Sequence, residues 1–223
     1  MGLTKTISLI KKANQQNKTV IEFTDGESLL LNLDIVLKYS LKKGEKLSEE
    51  LYQTIIDDNS ILEIKKVAFN FASRRVRSKK QILDYLQQKH YTPEEINTSI
   101  DFLNEYKLID DFKFAKIAIQ FYANRKNYGK HRIEQELLKK GIEQEIINKV
   151  LNTTIENDED EEKIAQRLID KKKKNILSKK PTNRYSYAYN LLKTRGISSI
   201  IIRKTLGKFD FKADQLENPA DFE

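Results

Sequence analysis

Cysteine is absent from the 223 residues. That removes disulfide staples, thiolate metal ligands and a thiol nucleophile together. Only 3 prolines and 7 glycines occur, too few for a turn-rich β fold or a low-complexity disordered chain, so the composition points to helix. Tryptophan is missing, and the 2 histidines are His90 and His131. Each lies in a basic stretch with no second histidine or acid at ligand spacing, so no metal and no cofactor is expected. No apolar run approaches the ~20 residues that span a bilayer. The first residues lack the apolar core and small-residue cleavage site of a signal peptide. A cytoplasmic protein without a membrane partner is the expectation.

What the chain does have is charge, unevenly placed. Lys and Arg total 41 and Asp and Glu 33, a net of +8. Residues 1–57 are balanced, so the whole excess belongs to residues 58–223. A basic surface of this kind attracts nucleic acid or an acidic protein groove. Lysine dominates over arginine, however, and many lysines simply solvate helix faces.

The first 57 residues read as β followed by short helices. Thr6-Ile7-Ser8-Leu9 alternates polar and apolar, and the runs Val20–Phe23 and Ser28–Leu31 flank Thr24-Asp25-Gly26-Glu27. An Asp-Gly pair there predicts a hairpin closed by a type I′ turn. Asp34 is placed to cap a short helix that Gly44 ends, and Ser48-Glu49-Glu50 to start another.

From about Asp58 the period is helical, and a three-helix unit recurs. The first copy carries Ile61, Ile64, Ala68 and Phe71, then Ile82 and Leu86, then Ile96, Ile100 and Leu103 behind the helix start Thr92-Pro93-Glu94-Glu95. Phe114, Ala115, Ala118 and Phe121, then Ile133, Leu137 and Leu138, then Ile142, Ile147 and Val150 form the second. The third has Ile164, Ala165, Leu168 and Ile169, then Tyr187, Leu191 and Leu192, then Ile197, Ile200, Ile201 and Leu206. Leu137-Leu138-Lys139-Lys140-Gly141-Ile142 matches Leu191-Leu192-Lys193-Thr194-Arg195-Gly196-Ile197, each glycine serving as a left-handed helix stop. The first copy has His90-Tyr91 at that point. The expected fold is therefore mainly α: three tandem three-helix repeats forming an elongated curved solenoid, preceded by a small β-hairpin and short helices. Boundaries fall at 1–57, 58–108, 109–155, 156–208 and a tail, 209–223. The acidic run from Asn157 to Glu162 lacks the spacing of a calcium loop and reads as a linker leading into a helix.

Catalytic signals are weak. Gly129-Lys130 has no glycine five residues before it and no preceding strand, so it is not a phosphate loop. Asp110-Asp111 stands where carboxylates cap a helix rather than catalyse. The stronger signal is basic and repeated. Arg74, Arg75, Arg77, Lys79 and Lys80 lie between the first two helices of copy one. Arg125, Lys126, Lys130, His131 and Arg132 fill the equivalent joint of copy two. Lys171, Lys172, Lys173, Lys174, Lys179, Lys180 and Arg184 fill that of copy three. Stacked repeats would align these corners into a stripe, beside which Tyr128, Tyr185, Tyr187 and Tyr189 either stack on bases or pack in the core.

Leu108-Ile109-Asp110-Asp111-x-x-Phe114-Ala115 is followed by Arg125-x-x-x-Gly129-x-x-Arg132-Ile133-x-x-Glu136-Leu137-x-x-Lys140-Gly141-Ile142. This series resembles the central repeat of bacterial RecX proteins, regulators of the RecA recombinase. Arg75-x-Arg77-Ser78-x-x-x-Ile82 is similar to the family's first repeat, and Leu191-x-x-x-Arg195-Gly196-Ile197-Ser198 to its third. The likeness covers roughly Asn59 to Lys208. Lys107 departs from it, standing where the family has a glycine, and so does Gln81, standing where an acid is usual. The resemblance implies a regulator with no catalytic residue; a monomer is expected. It would bind RecA and the RecA–DNA filament and damp its ATPase, strand-exchange and coprotease activities in recombinational repair and the SOS response. The alternative is a stand-alone basic helical protein binding single- or double-stranded DNA.

Overall fold

The computed structural model describes residues 4–155 and 158–211. Its elements run β1 (Thr4–Lys12), β2 (Lys18–Phe23), β3 (Ser28–Asn32), α1 (Leu33–Lys38), β4 (Lys46–Ser48), α2 (Glu49–Ser73), α3 (Lys79–Gln88), α4 (Pro93–Glu105), α5 (Asp111–Arg125), α6 (Lys130–Lys139), α7 (Gln144–Thr154), α8 (Asp158–Leu177), α9 (Pro181–Thr194) and α10 (Ser199–Gly207). The chain is mainly helical. Two compact units share it: residues 1–76 with 82–109, and residues 77–81 with 110–223.

In the first unit the hairpin is part of an antiparallel sheet ordered β3-β2-β1-β4. The three-residue β4 is too short to leave a pattern in sequence. Ile7, Ile21, Phe23 and Leu31 point from the sheet into a core closed by Ile35, Leu47 and Ile55. The turn differs from the type I′ form. Only Gly26 has positive φ (+89°), and the Phe23 amide donates to the Glu27 carbonyl at 2.9 Å. This is a three-residue loop ending in a left-handed glycine, with the Asp25 carboxylate accepting from the Glu27 amide at 3.0 Å. Asn32, not Asp34, occupies the cap position of α1. Asp34 instead pairs with Lys66 at 2.6 Å.

The boundary placed at 57/58 falls inside α2, one helix of 25 residues. The polar stretch Asp57-Asp58-Asn59-Ser60 runs inside that helix, and tertiary partners use its polarity. Asn59 accepts from both the backbone and the side chain of Asn32, at 2.8 and 2.9 Å. Asp58 accepts from Lys38 and Tyr39, and Ser60 donates to Glu95. The helix starts as expected, with the Ser48 side chain accepting from the Leu51 amide. Its distal half packs on α3 and α4 through Ile64, Ala68, Ile82, Leu86, Ile96, Ile100 and Leu103. Thr92 and Glu95 form a reciprocal capping box at the head of α4.

The second unit holds two further three-helix sets around one continuous core, including Ile119, Ile133, Leu137, Ile147, Ile164, Ile169, Leu192 and Ile202. The α5–α7 and α8–α10 sets follow the α2–α4 pattern. Leu86, Leu137 and Leu192 are all fully buried at the same place on the middle helix. From each, the carbonyl accepts from the amide five residues on: Tyr91 at 3.4 Å, Ile142 at 3.1 Å and Ile197 at 3.3 Å. That closure needs a left-handed residue in between. His90 (φ 63°), Gly141 (75°) and Gly196 (77°) supply it. The tail beyond Phe211 lies outside the described residues, as does Asn157 of the acidic run.

Lys107 closes α4 the same way at φ 53°, beneath a 2.9 Å bond from the Leu108 amide to Leu103. A side-chain-bearing residue pays in strain there, whereas glycine does not. Lys107→Gly is therefore expected to raise stability by roughly 0.5–1 kcal/mol after the entropy of the added glycine. A urea midpoint that falls instead would show that the lysine side chain outweighs the strain.

Candidate interface for a polyanionic partner

The basic residues predicted from sequence are placed unequally. Arg74 and Arg75 are exposed at the end of α2 in the first unit. In the second unit, Lys79 and Lys80 are exposed and Arg77 half-buried. The corner between α5 and α6 is a true surface cluster. Arg125, Lys126 and His131 are exposed, and Lys130 and Arg132 partly so.

The third corner differs from its sequence reading. Lys171 to Lys174 sit within the last turns of α8, not at a joint. Four consecutive helical residues fan around most of the axis, so they form no single face. Lys179 and Lys180 are exposed before α9. Arg184 is buried at 7% exposure. Its guanidinium donates to the carbonyls of Lys179 (3.0 Å) and Phe211 (2.7 Å), so it ties down the end of the fold.

The joints are built by a contact that occurs twice in the second unit. The loop closing one middle helix presses on the start of the preceding one. The Ser78 hydroxyl donates to the Lys140 carbonyl at 2.8 Å, and the Gly129 amide to the Arg195 carbonyl at 2.8 Å. An acid from the next set's first helix then caps the following amide. Asp111 accepts from Lys79 N at 2.8 Å and Glu161 from Lys130 N at 3.1 Å. Asp110 caps its own helix by accepting from the Lys113 amide at 2.8 Å. The Asp110-Asp111 pair is thus spent on two helix starts. Desolvation pushes the Asp111 carboxyl up, against the pull of the Lys79 amide and charge.

Tyr128 is occupied as well. Its ring stacks on Tyr122 at 5.8 Å, and the guanidiniums of Arg132 and Arg195 each lie 5.5 Å from it. Tyr187 and Tyr189 pack on the core, whereas Tyr185 is 47% exposed. In the acidic run, Glu161 is buried as a cap and Glu162 holds Lys204 at 2.8 Å and also Lys208. Among the described residues no group of His, Asp and Glu is arranged to hold a metal, and no helix is long and apolar enough to cross a membrane.

Two features escape the sequence reading. Phe121, placed on the core face by spacing, is 48% exposed, as is Ile117 one turn before it. Ala115, Ile119 and Ala123 face inward instead. Lys126 lies over the Phe121 ring at 5.8 Å. Leu138 and Ile200, also expected inside, are 46% and 70% exposed. The second feature is a cleft of about 390 Å³, where His131 and Arg132 meet Lys193 and the turn to Ser199. Its two walls are some 60 residues apart in sequence, so no local pattern announces it.

The RecX family's second three-helix domain matches residues 110–151, and its first matches residues 65–103. The chain is 30% identical over 207 residues to a protein of Clostridium beijerinckii named "Regulatory protein RecX", covering 88% of this chain and 93% of that one. It is 28% identical over 215 residues to the protein of that name from Clostridium tetani, covering 93% and 97%. Among solved structures, "Crystal structure of regulatory protein RecX" superposes with a TM-score of 0.70 at 20% identity, over 92% of this chain and all of that one. RecX from Lactobacillus salivarius superposes with a TM-score of 0.59 at 23% identity, over 67% and 96%. With domain order, full-length relatives and fold in agreement, this chain belongs to the RecX family.

Proposed function

We propose that this protein is a regulator of the RecA recombinase that binds the RecA–DNA filament and lowers its ATPase, strand-exchange and coprotease activities. In this reading the three helical sets act as tandem repeats of a cytoplasmic monomer with no chemistry of its own. Family membership supports the class of function. The observation that carries a mixed protein-and-DNA target is the surface at the α5–α6 corner. No acid occurs between Asp111 and Glu134, and Arg125 and Lys126 adjoin the half-exposed Ile117 and Phe121. Cations alone would suit bare DNA. Apolar side chains in the middle of a cationic helix face suit a protein surface that also presents acid.

A modulator shifts an assembly only through preferring one of its states. Contacts to neighbouring recombinase subunits and the strand they coat would give that preference. The test is the single-stranded-DNA-dependent ATPase of RecA from the same organism, titrated with this protein at two salt concentrations. Substoichiometric inhibition that survives the higher salt is expected. Inhibition confined to saturating protein and low salt would mean competition for DNA, which the stand-alone DNA-binding reading requires.

A further inference from the structure

The 390 Å³ cleft in the second unit is lined by basic and hydroxyl side chains. One wall is the outer side of α6, with His131 and Arg132. The other is the end of α9 and the turn into α10, with Lys193, Ser198 and Ser199. Its lining includes two permanent cations, an imidazole and three hydroxyls, and no carboxylate. In a chain with 33 acids, such a lining is selective for a negatively charged, oxygen-rich ligand.

Arg132 adds the decisive detail. Its Nη2 is held by Glu136 at 3.1 Å, and its guanidinium lies over Tyr128. Its Nε is buried yet has no hydrogen-bond partner. A buried guanidinium N–H has lost its water and normally gains an acceptor in exchange. Here it lacks one. An oxyanion entering the cleft would meet the part of the Arg132 side chain that stays 37% exposed, and Lys193 would add charge from the opposite wall. The walls are also held in register. A Cβ at Gly196 would fall 2.4 Å from the Arg132 amide, so the turn lies hard against α6.

We infer that this cleft is a subsite for one phosphodiester of a nucleic-acid backbone. Arg132 and Lys193 face the phosphate, and the serine hydroxyls and His131 donate to its oxygens. The cleft is open to the surface, and no Phe or Tyr ring lines it to stack on a base. It therefore fits a contact that positions a strand without reading its sequence. The inference deepens the regulatory reading and rests on it, since the strand concerned is the one the recombinase coats.

The test uses the full chain and a fluorescent single-stranded oligonucleotide, without recombinase, by anisotropy over a range of salt. Arg132 is left alone, because it also packs on Tyr128 and Glu136. Lys193→Gln removes a wall charge, and Ser199→Asp places an anion in the mouth. Both should fold normally by circular dichroism. For one lost phosphate contact, the salt slope of log K should flatten by about 0.7 and affinity at ~0.1 M salt fall about five-fold. Ser199→Asp should do at least as much. Folded variants with unchanged slope and affinity would overturn the subsite. So would saturable binding of a free nucleoside monophosphate that both variants abolish while oligonucleotide binding stays intact, which would make the cleft a small-anion site. A variant that binds DNA normally but no longer inhibits RecA would assign the cleft to an acidic protein side chain, again against the proposal. If instead the slopes shift as expected while the wild-type protein leaves the RecA ATPase untouched, the subsite stands and the regulatory reading fails.

Discussion

Gly196→Ala should cost about 2–5 kcal/mol of stability, among the largest effects of a single methyl group in this chain. Two separate penalties add at this position. The residue sits at φ +77°, where any L side chain is strained by about 1–2 kcal/mol. Its new Cβ would also lie 2.4 Å from Arg132 N and 2.9 Å from Arg132 Cα, and backbone cannot swing aside as a lysine tip can. Overpacking of that kind costs about 1–3 kcal/mol. Gly26→Ala is the control. It has φ +89° with nothing within 4 Å of the added carbon, so only the strain of about 1–2 kcal/mol applies. Urea midpoints at constant slope measure both. Equal losses in the two variants would show that the contact between the α9–α10 turn and the head of α6 yields easily. The expected gap between them would show that it is tight.

That contact also explains which parts of this protein can be read from its sequence. The helices with strong local signals are where spacing and caps put them. Thr92-Pro93-Glu94-Glu95 makes its capping box, and Gly141 and Gly196 are left-handed stops. The middle-helix leucines Leu86, Leu137 and Leu192 are buried. Failures occur where a residue's role depends on a distant partner. The boundary at 57/58 falls inside α2, where Asn32, Lys38, Tyr39 and Glu95 bond Asp58, Asn59 and Ser60 from outside the helix. Arg184 counts as a surface cation until the carbonyl of Phe211 claims it. Phe121 fits a helical stripe as well as Ile119 does, and only packing shows that Ile119 is the buried one. Of the candidate site, the α5–α6 corner was legible because its cations are contiguous with it. Lys193 and Ser199 were not, because nothing local ties them to His131 and Arg132.

The corner itself gives the second large effect. Replacing Arg125, Lys126 and Lys130 together by Gln should weaken binding to RecA-coated single-stranded DNA by about 100-fold at ~0.1 M salt, if each cation meets one phosphate. With a slope near −0.7 per contact, each is worth about five-fold at that salt. Arg132 is kept, because its loss would strip Tyr128 of a stacking cation and Glu136 of its partner. Lys130 can be changed without losing its joint, because it is its backbone amide that Glu161 caps. The deficit should shrink as salt rises, since wild-type binding loses the same contacts to competing ions. Phe121→Ser should behave in the opposite way. It removes a half-exposed ring from the centre of the same helix face, and the resulting loss should persist at high salt, because burial of apolar surface is not screened. Both variants should retain full helicity, since none of the four side chains lies in the core. If the triple variant loses affinity and Phe121→Ser does not, the corner is a polyanion contact and the recombinase docks elsewhere. If both lose affinity, one with salt-sensitive and the other with salt-resistant behaviour, a single helix face is meeting protein and DNA together, as a protein seated on a nucleoprotein filament must.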